Sequence, residues 1–71
     1  MTRDERILLA SRENEAGERE MLAGNYGLAW VHFDRAATAA VTDSGRAVLQ
    51  DKAAQAKAAA AGRRGVDCGG A

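Results

Sequence analysis

The chain has 71 residues, of which 46% are hydrophobic and 28% charged, and its ten basic residues balance its ten acidic ones. This length allows one small domain with a limited core, and the neutral charge argues against a nucleic-acid binder or a protein held on an anionic membrane. A single cysteine excludes an intrachain disulfide, and with one histidine it is too little for a structural zinc site. We therefore expect stability to come partly from a second copy or a larger partner.

The first predicted helix runs from about residue 4 to residue 23, with Thr2 or Asp4 as its cap. Glycine inside this helix, at Gly17, costs about 1 kcal/mol relative to alanine. We expect a neighbouring helix to approach closely there. The seam expected to face the core has a spacing of three and four residues, with one polar member: Ile7, Ala10, Asn14, Gly17, Met21 and Gly24.

The pair Gly24-Asn25 predicts a helix stop and restart, because glycine tolerates the left-handed conformation and asparagine can cap the next helix. The second helix should run from about residue 26 to residue 40. It carries all three aromatic residues of the chain, in rows at helical spacing: Tyr26, Trp30, Phe33 and Ala37 in one, and Ala29, Phe33, Ala36 and Ala40 in the next. We assign Phe33 to the core.

A third helix is predicted from about residue 44 to residue 61, after Thr42, Asp43 or Ser44 as its cap. Its apolar row comprises Leu49, Ala53, Ala56 and Ala60. Residues 53–61 include seven alanines, which favour helix strongly but bury little area. Residues 1–61 should form one helical domain, and residues 62–71, which include Cys68 and show no periodicity, should form a flexible tail.

Part of this pattern resembles a tetratricopeptide repeat, over about residues 10–43. The residues that match the roles of that repeat, in order, are Gly17, Gly24, Tyr26, Ala29, Phe33 and Ala36. The chain departs from it where Glu13, Ala16 and Glu20 replace large apolar or aromatic residues and Val41 replaces proline. The resemblance implies an antiparallel helical hairpin, capped by the third helix, that binds another protein.

The expected protein is therefore all-α, a helical hairpin with a third helix, acting as an interaction or adaptor module that self-associates or docks on a larger partner. The residues expected to contact the partner are Met21, Tyr26, Trp30 and His32, and those expected to shape the hairpin are Gly17, Gly24, Ala29, Phe33 and Ala36. No catalytic residue, cofactor, metal or small-molecule substrate is expected. No apolar run has the length of a membrane span, so a cytoplasmic protein is expected.

An unrelated three-helix bundle would use the same glycine, aromatic and alanine packing, so it remains open as a fold. Two alternative functions also remain. Residues 1–24 have a net charge of −2 and residues 43–71 of +2, which suits a small architectural subunit that packs repeatedly in a larger particle. A helix-turn-helix DNA reader would instead place its turn at Gly27 and present Trp30, His32 and Arg35 to the major groove. The position of the turn distinguishes the repeat from the DNA reader, because the repeat needs its turn at Gly24-Asn25 and the DNA reader needs it at Gly27.

Overall fold

Three α-helices follow one another along the chain. The computed structural model describes the backbone of residues 1–70 and the side chains of residues 1–62. Over those residues α1 spans Arg3–Leu22, α2 spans Tyr26–Ala39 and α3 spans Asp43–Gly70. The prediction of an all-α chain with three helices in this order is confirmed. None of these helices, over the described residues, is both long and apolar enough to cross a membrane.

The first and third helices begin at side-chain caps. Thr2 Oγ1 accepts the backbone N–H of Glu5 at 3.2 Å, and Glu5 Oε1 accepts the backbone N–H of Thr2 at 3.1 Å. These hydrogen bonds, first the one from the Thr2 backbone, lower the pKa of the Glu5 carboxyl. Before α3, Thr42 Oγ1 accepts the backbone N–H of Gly45 at 3.1 Å. The reciprocal pair at Thr2 satisfies two backbone donors at the start of α1.

Asn25 lies at the predicted cap position of α2, but the predicted side-chain cap is wrong. Its side chain makes no capping hydrogen bond. Its ψ of 68° lies outside the extended conformation in which such a cap normally forms. The backbone of Asn25 bonds on both sides instead, donating to the Glu20 carbonyl at 2.8 Å and accepting from the Ala29 N–H at 3.0 Å.

The turn between α1 and α2 lies at Gly24-Asn25, where the sequence predicted it. Gly24 has a φ of 81°, in the left-handed region that costs glycine little. Gly27 lies inside α2. The turn that a helix-turn-helix reader would need at Gly27 is therefore absent, which argues against that alternative.

The core lies where α2 packs against both α1 and α3. Phe33 of α2 is 3% exposed and shares a cluster with Ala29, Ala53 and Ala56. Gly17 of α1 faces this ring so closely that a Cβ there would lie 2.6 Å from Phe33 Cε1. The predicted close approach at Gly17 is thus made by the Phe33 ring.

The third helix continues through Gly70, past its predicted end at residue 61. That predicted end is wrong for the backbone. The chain has no proline to stop a helix, and glycine lowers helix propensity by about 1 kcal/mol without ending a helix by itself. Side chains from residue 63 onward, Cys68 among them, and residue 71 lie outside the described part, as does the predicted flexibility of the tail.

Candidate interaction surface

The Trp30 side chain is partly buried and partly exposed to solvent. Its side chain belongs to α2 and is 39% exposed, and Lys57 Nζ of α3 lies 5.2 Å from the ring centroid. A shallow depression beside it is lined by Gly27, Lys57, Ala60 and Ala61. A cation over an indole face is attracted by the ring quadrupole. Trp30 therefore anchors the alanine-rich part of α3 and keeps one side free for another molecule.

His32 is engaged within the chain. Its Nδ1 lies 2.7 Å from Glu13 Oε2 of α1, and the two side chains are 27% and 19% exposed. The contact joins the outer parts of α1 and α2. Glu13 stands where a tetratricopeptide repeat would have an apolar residue, and here it contacts α2 through a polar pair. Because Nδ1 is occupied by Glu13, a partner could contact only the exposed part of the His32 ring.

The other residues expected at the interface are also partly covered. Met21 packs against the cluster around Phe33, and Tyr26 is half-buried. The residues expected to shape the hairpin lie inside it: Gly17, Ala29, Phe33 and Ala36 are buried, and Gly24 forms the turn. The structure thus places Phe33 and Trp30 against α3 and leaves Trp30 as the most exposed of the three aromatic residues.

A polar network joins α1 to α3, with Lys52 at its centre. Lys52 Nζ donates to Asn14 Oδ1 at 3.0 Å and to Glu18 Oε1 at 2.9 Å, and it lies 5.7 Å from the centroid of the Phe33 ring. The hydrogen bond and the charge of Lys52 lower the pKa of the Glu18 carboxyl. Asn14 and Lys52 also line a groove of about 320 Å³ whose apolar wall includes Ala10, Val48 and Leu49.

Several large apolar side chains lie on the surface, and the sequence analysis did not identify them as a group. Those exposed are Met1, Ile7, Leu8, Leu22, Leu28, Trp30, Val31 and Val48. Leu8 and Leu22 are separated by fourteen residues on one side of α1. Their spacing is visible in the sequence, but it lies on the side of α1 opposite the Gly17 seam from which the core was predicted. A count of apolar residues on each helix side would have found them.

Within the side chains described, no three His, Cys, Asp or Glu residues lie together as a metal ion would need. Comparison of the chain with protein-family models, curated proteins and solved structures gave no match. The resemblance to a tetratricopeptide repeat stays a prediction that rests on the residues quoted for it.

Proposed function

We propose that this protein is a non-enzymatic protein-interaction module that self-associates, completing its small core against another copy. One observation carries the proposal. Every buried hydrophobic residue among the described side chains is alanine except Phe33, whereas Leu8, Leu22 and Val48 are more than half exposed. These three large apolar side chains thus contribute little to the fold of one chain, and they are free to contribute to contacts between chains.

The size of the buried core supports the same proposal. A buried CH₂ group contributes about 0.8 kcal/mol, so a core of alanines with one phenylalanine gives a small margin against the entropy of ordering the chain. A second molecule that binds only the folded state stabilises that state by mass action. The runner-up is a small architectural subunit of a larger particle, which uses the same surface in repeated contacts. Neither proposal involves a catalytic residue, a cofactor, a nucleic acid or a membrane.

Thermal unfolding at different protein concentrations tests the proposal. If association stabilises the fold, the midpoint followed by circular dichroism rises as the concentration rises from low to high micromolar. Replacing the exposed Leu22 with glutamine should remove part of that rise, whereas replacing the exposed Thr38 of α2 with glutamine is a control for a substitution on another helix surface. A midpoint that is the same at all concentrations would show that one chain is stable alone, and the proposal would fail.

A further inference from the structure

One side of α1 has an exposed row that we call the α1 face: Leu8, Arg12, Glu15, Arg19 and Leu22. At 100° per residue these five positions span an arc of about 80°, on the side of the helix opposite the buried Gly17. Leu8 is 51% exposed and Leu22 is 90% exposed. A solvated helix side has no need of large apolar residues at both ends, so the row is suited to receive another helix.

The outer side of α3 has a smooth row that we call the α3 face: Ala47, Gln50, Ala54, Ala58 and Ala61, all exposed. Small side chains let another helix approach closely. The separation between Ala47 and Ala61 is fourteen residues, as it is between Leu8 and Leu22, or about 21 Å along either helix. The two leucines of one face therefore match the two end alanines of the other in spacing.

Charges flank both faces. On the α1 face Arg12 and Arg19 lie toward one edge, and Glu15 lies toward the other. When each helix is viewed along its axis from the N-terminus, Asp51 lies on the same rotational side of the α3 face as the arginines do of the α1 face. Lys57 lies on the other side of the α3 face. Two facing helices bring edges of the same sense together when they run antiparallel and edges of opposite sense together when they run parallel.

The charges therefore select one arrangement. In an antiparallel pair centred on Glu15 and Ala54, Arg19 lies beside Asp51 and Glu15 lies beside Lys57. A parallel pair would place the arginines beside Lys57. Two α1 faces packed antiparallel would place arginine beside arginine and glutamate beside glutamate. Flanking charges of this kind set the partner and the orientation of helix pairs.

We infer that a second copy of this chain docks its α3 face antiparallel on the α1 face, with Leu8 over Ala61 and Leu22 over Ala47. The inference deepens the proposed self-association and rests on it. The inferred contact joins unlike faces and leaves each copy with one unused face, so it is heterologous. Such contacts build rings or open chains of copies, so the assembly grows beyond a dimer.

Two blocked variants test this arrangement in the full chain. Leu8→Glu with Leu22→Glu blocks the α1 face, and Ala54→Glu blocks the α3 face. All three positions are exposed and glutamate is a good helix former, so circular dichroism should show that both variants keep their helices. Sedimentation velocity is then measured on the wild type, on each variant and on an equal mixture.

We expect the wild type to exceed a dimer, each variant alone to sediment as a monomer, and the mixture to form a dimer that grows no further. If Ala54→Glu alone still dimerises, a symmetric α1 contact replaces the inferred one. If both variants associate as the wild type does, another surface is used. Either result overturns the inferred arrangement while the proposed self-association stands. A wild type that stays monomeric overturns both.

The pairing of Arg19 with Asp51 is tested separately. Asp51 Oδ2 accepts a hydrogen bond from Gln55 Nε2 at 2.8 Å, and its other oxygen is available to Arg19. Arg19→Asp should weaken association at least about tenfold, and adding Asp51→Arg in the same chain should restore it. Failure of the double variant to recover would rule out the antiparallel register.

Discussion

Gly17 leaves the space that the ring of Phe33 fills. A Cβ at position 17 would lie 2.6 Å from Phe33 Cε1 and 2.7 Å from Cδ1, closer than carbon atoms approach without displacement. Overpacking costs about 1–3 kcal/mol, against about 1 kcal/mol gained in helix propensity. We predict that Gly17→Ala lowers the melting temperature. Gly27→Ala, with no atom within 4 Å of its Cβ, should not lower it, and equal melting of the two variants would contradict the close approach.

Glu20 has a buried carboxylate oxygen, Oε2, that finds no hydrogen-bond partner among the described residues. An unsatisfied buried acceptor costs about 1–3 kcal/mol. We predict that Glu20→Met raises the melting temperature, because the thioether buries apolar atoms at that position. Glu15→Met, at an exposed position, should have little effect on a dilute sample. A lower melting temperature for Glu20→Met would show that the Glu20 carboxylate stabilises the fold.

At the scale of the elements, the turn between α1 and α2 depends on the positive φ of Gly24. A side chain in that conformation costs about 1–2 kcal/mol, and a β-branched one is among the worst tolerated. We predict that Gly24→Val lowers the free energy of unfolding measured in urea. Gly24→Asn should cost less, since asparagine visits the left-handed region more readily. Unchanged stability in Gly24→Val would contradict the assigned turn.

The contact between Glu18 and Lys52 contributes to the free energy of unfolding, and this contribution is lost at acid pH. The hydrogen bond and charge of Lys52 lower the pKa of Glu18 below its ordinary value of 4.5, so the folded state favours the ionised carboxyl. This contribution is complete above the unfolded value and disappears as the pH falls through the lowered folded value.

We therefore predict that the difference in melting temperature between the wild type and Glu18→Gln is greatest near neutral pH and shrinks as the pH falls below about 4.5. Asp34→Asn is the matched control, because the exposed Asp34 makes no ion pair with a described side chain. Glu5, whose pKa is also lowered, is common to all three proteins. A difference that stays constant with pH would show that the Lys52 contact contributes nothing.

The sequence predicted the helices and the turn well because their signals are local. Apolar spacing placed α1 and α2 within one residue at each end, and glycine at position 24 marked the turn. The end of α3 was missed because alanine and glycine give opposing signals and no proline decides between them. The pairing of His32 with Glu13 and of Lys52 with Glu18 could not be predicted, since it depends on how separate helices are rotated against each other.

At the scale of the whole molecule, the two ends of the sequence differ in charge, and several large apolar side chains are exposed. Residues 1–24 carry a net charge of −2 and residues 43–71 of +2. Charge of opposite sign at the two ends favours contact between unlike surfaces of identical copies over contact between like surfaces. The interaction module and the architectural subunit differ in whether that contact closes into a small oligomer or continues.

The molar mass in solution tests the central claim of self-association most directly. Light scattering on the purified chain over a range of micromolar concentrations should give a mass that rises above the 7.4 kDa of one chain as the concentration increases. A plateau would indicate a closed oligomer, and continued growth would indicate an architectural subunit. A mass of 7.4 kDa at every concentration would contradict the claim that this chain completes its core with another copy.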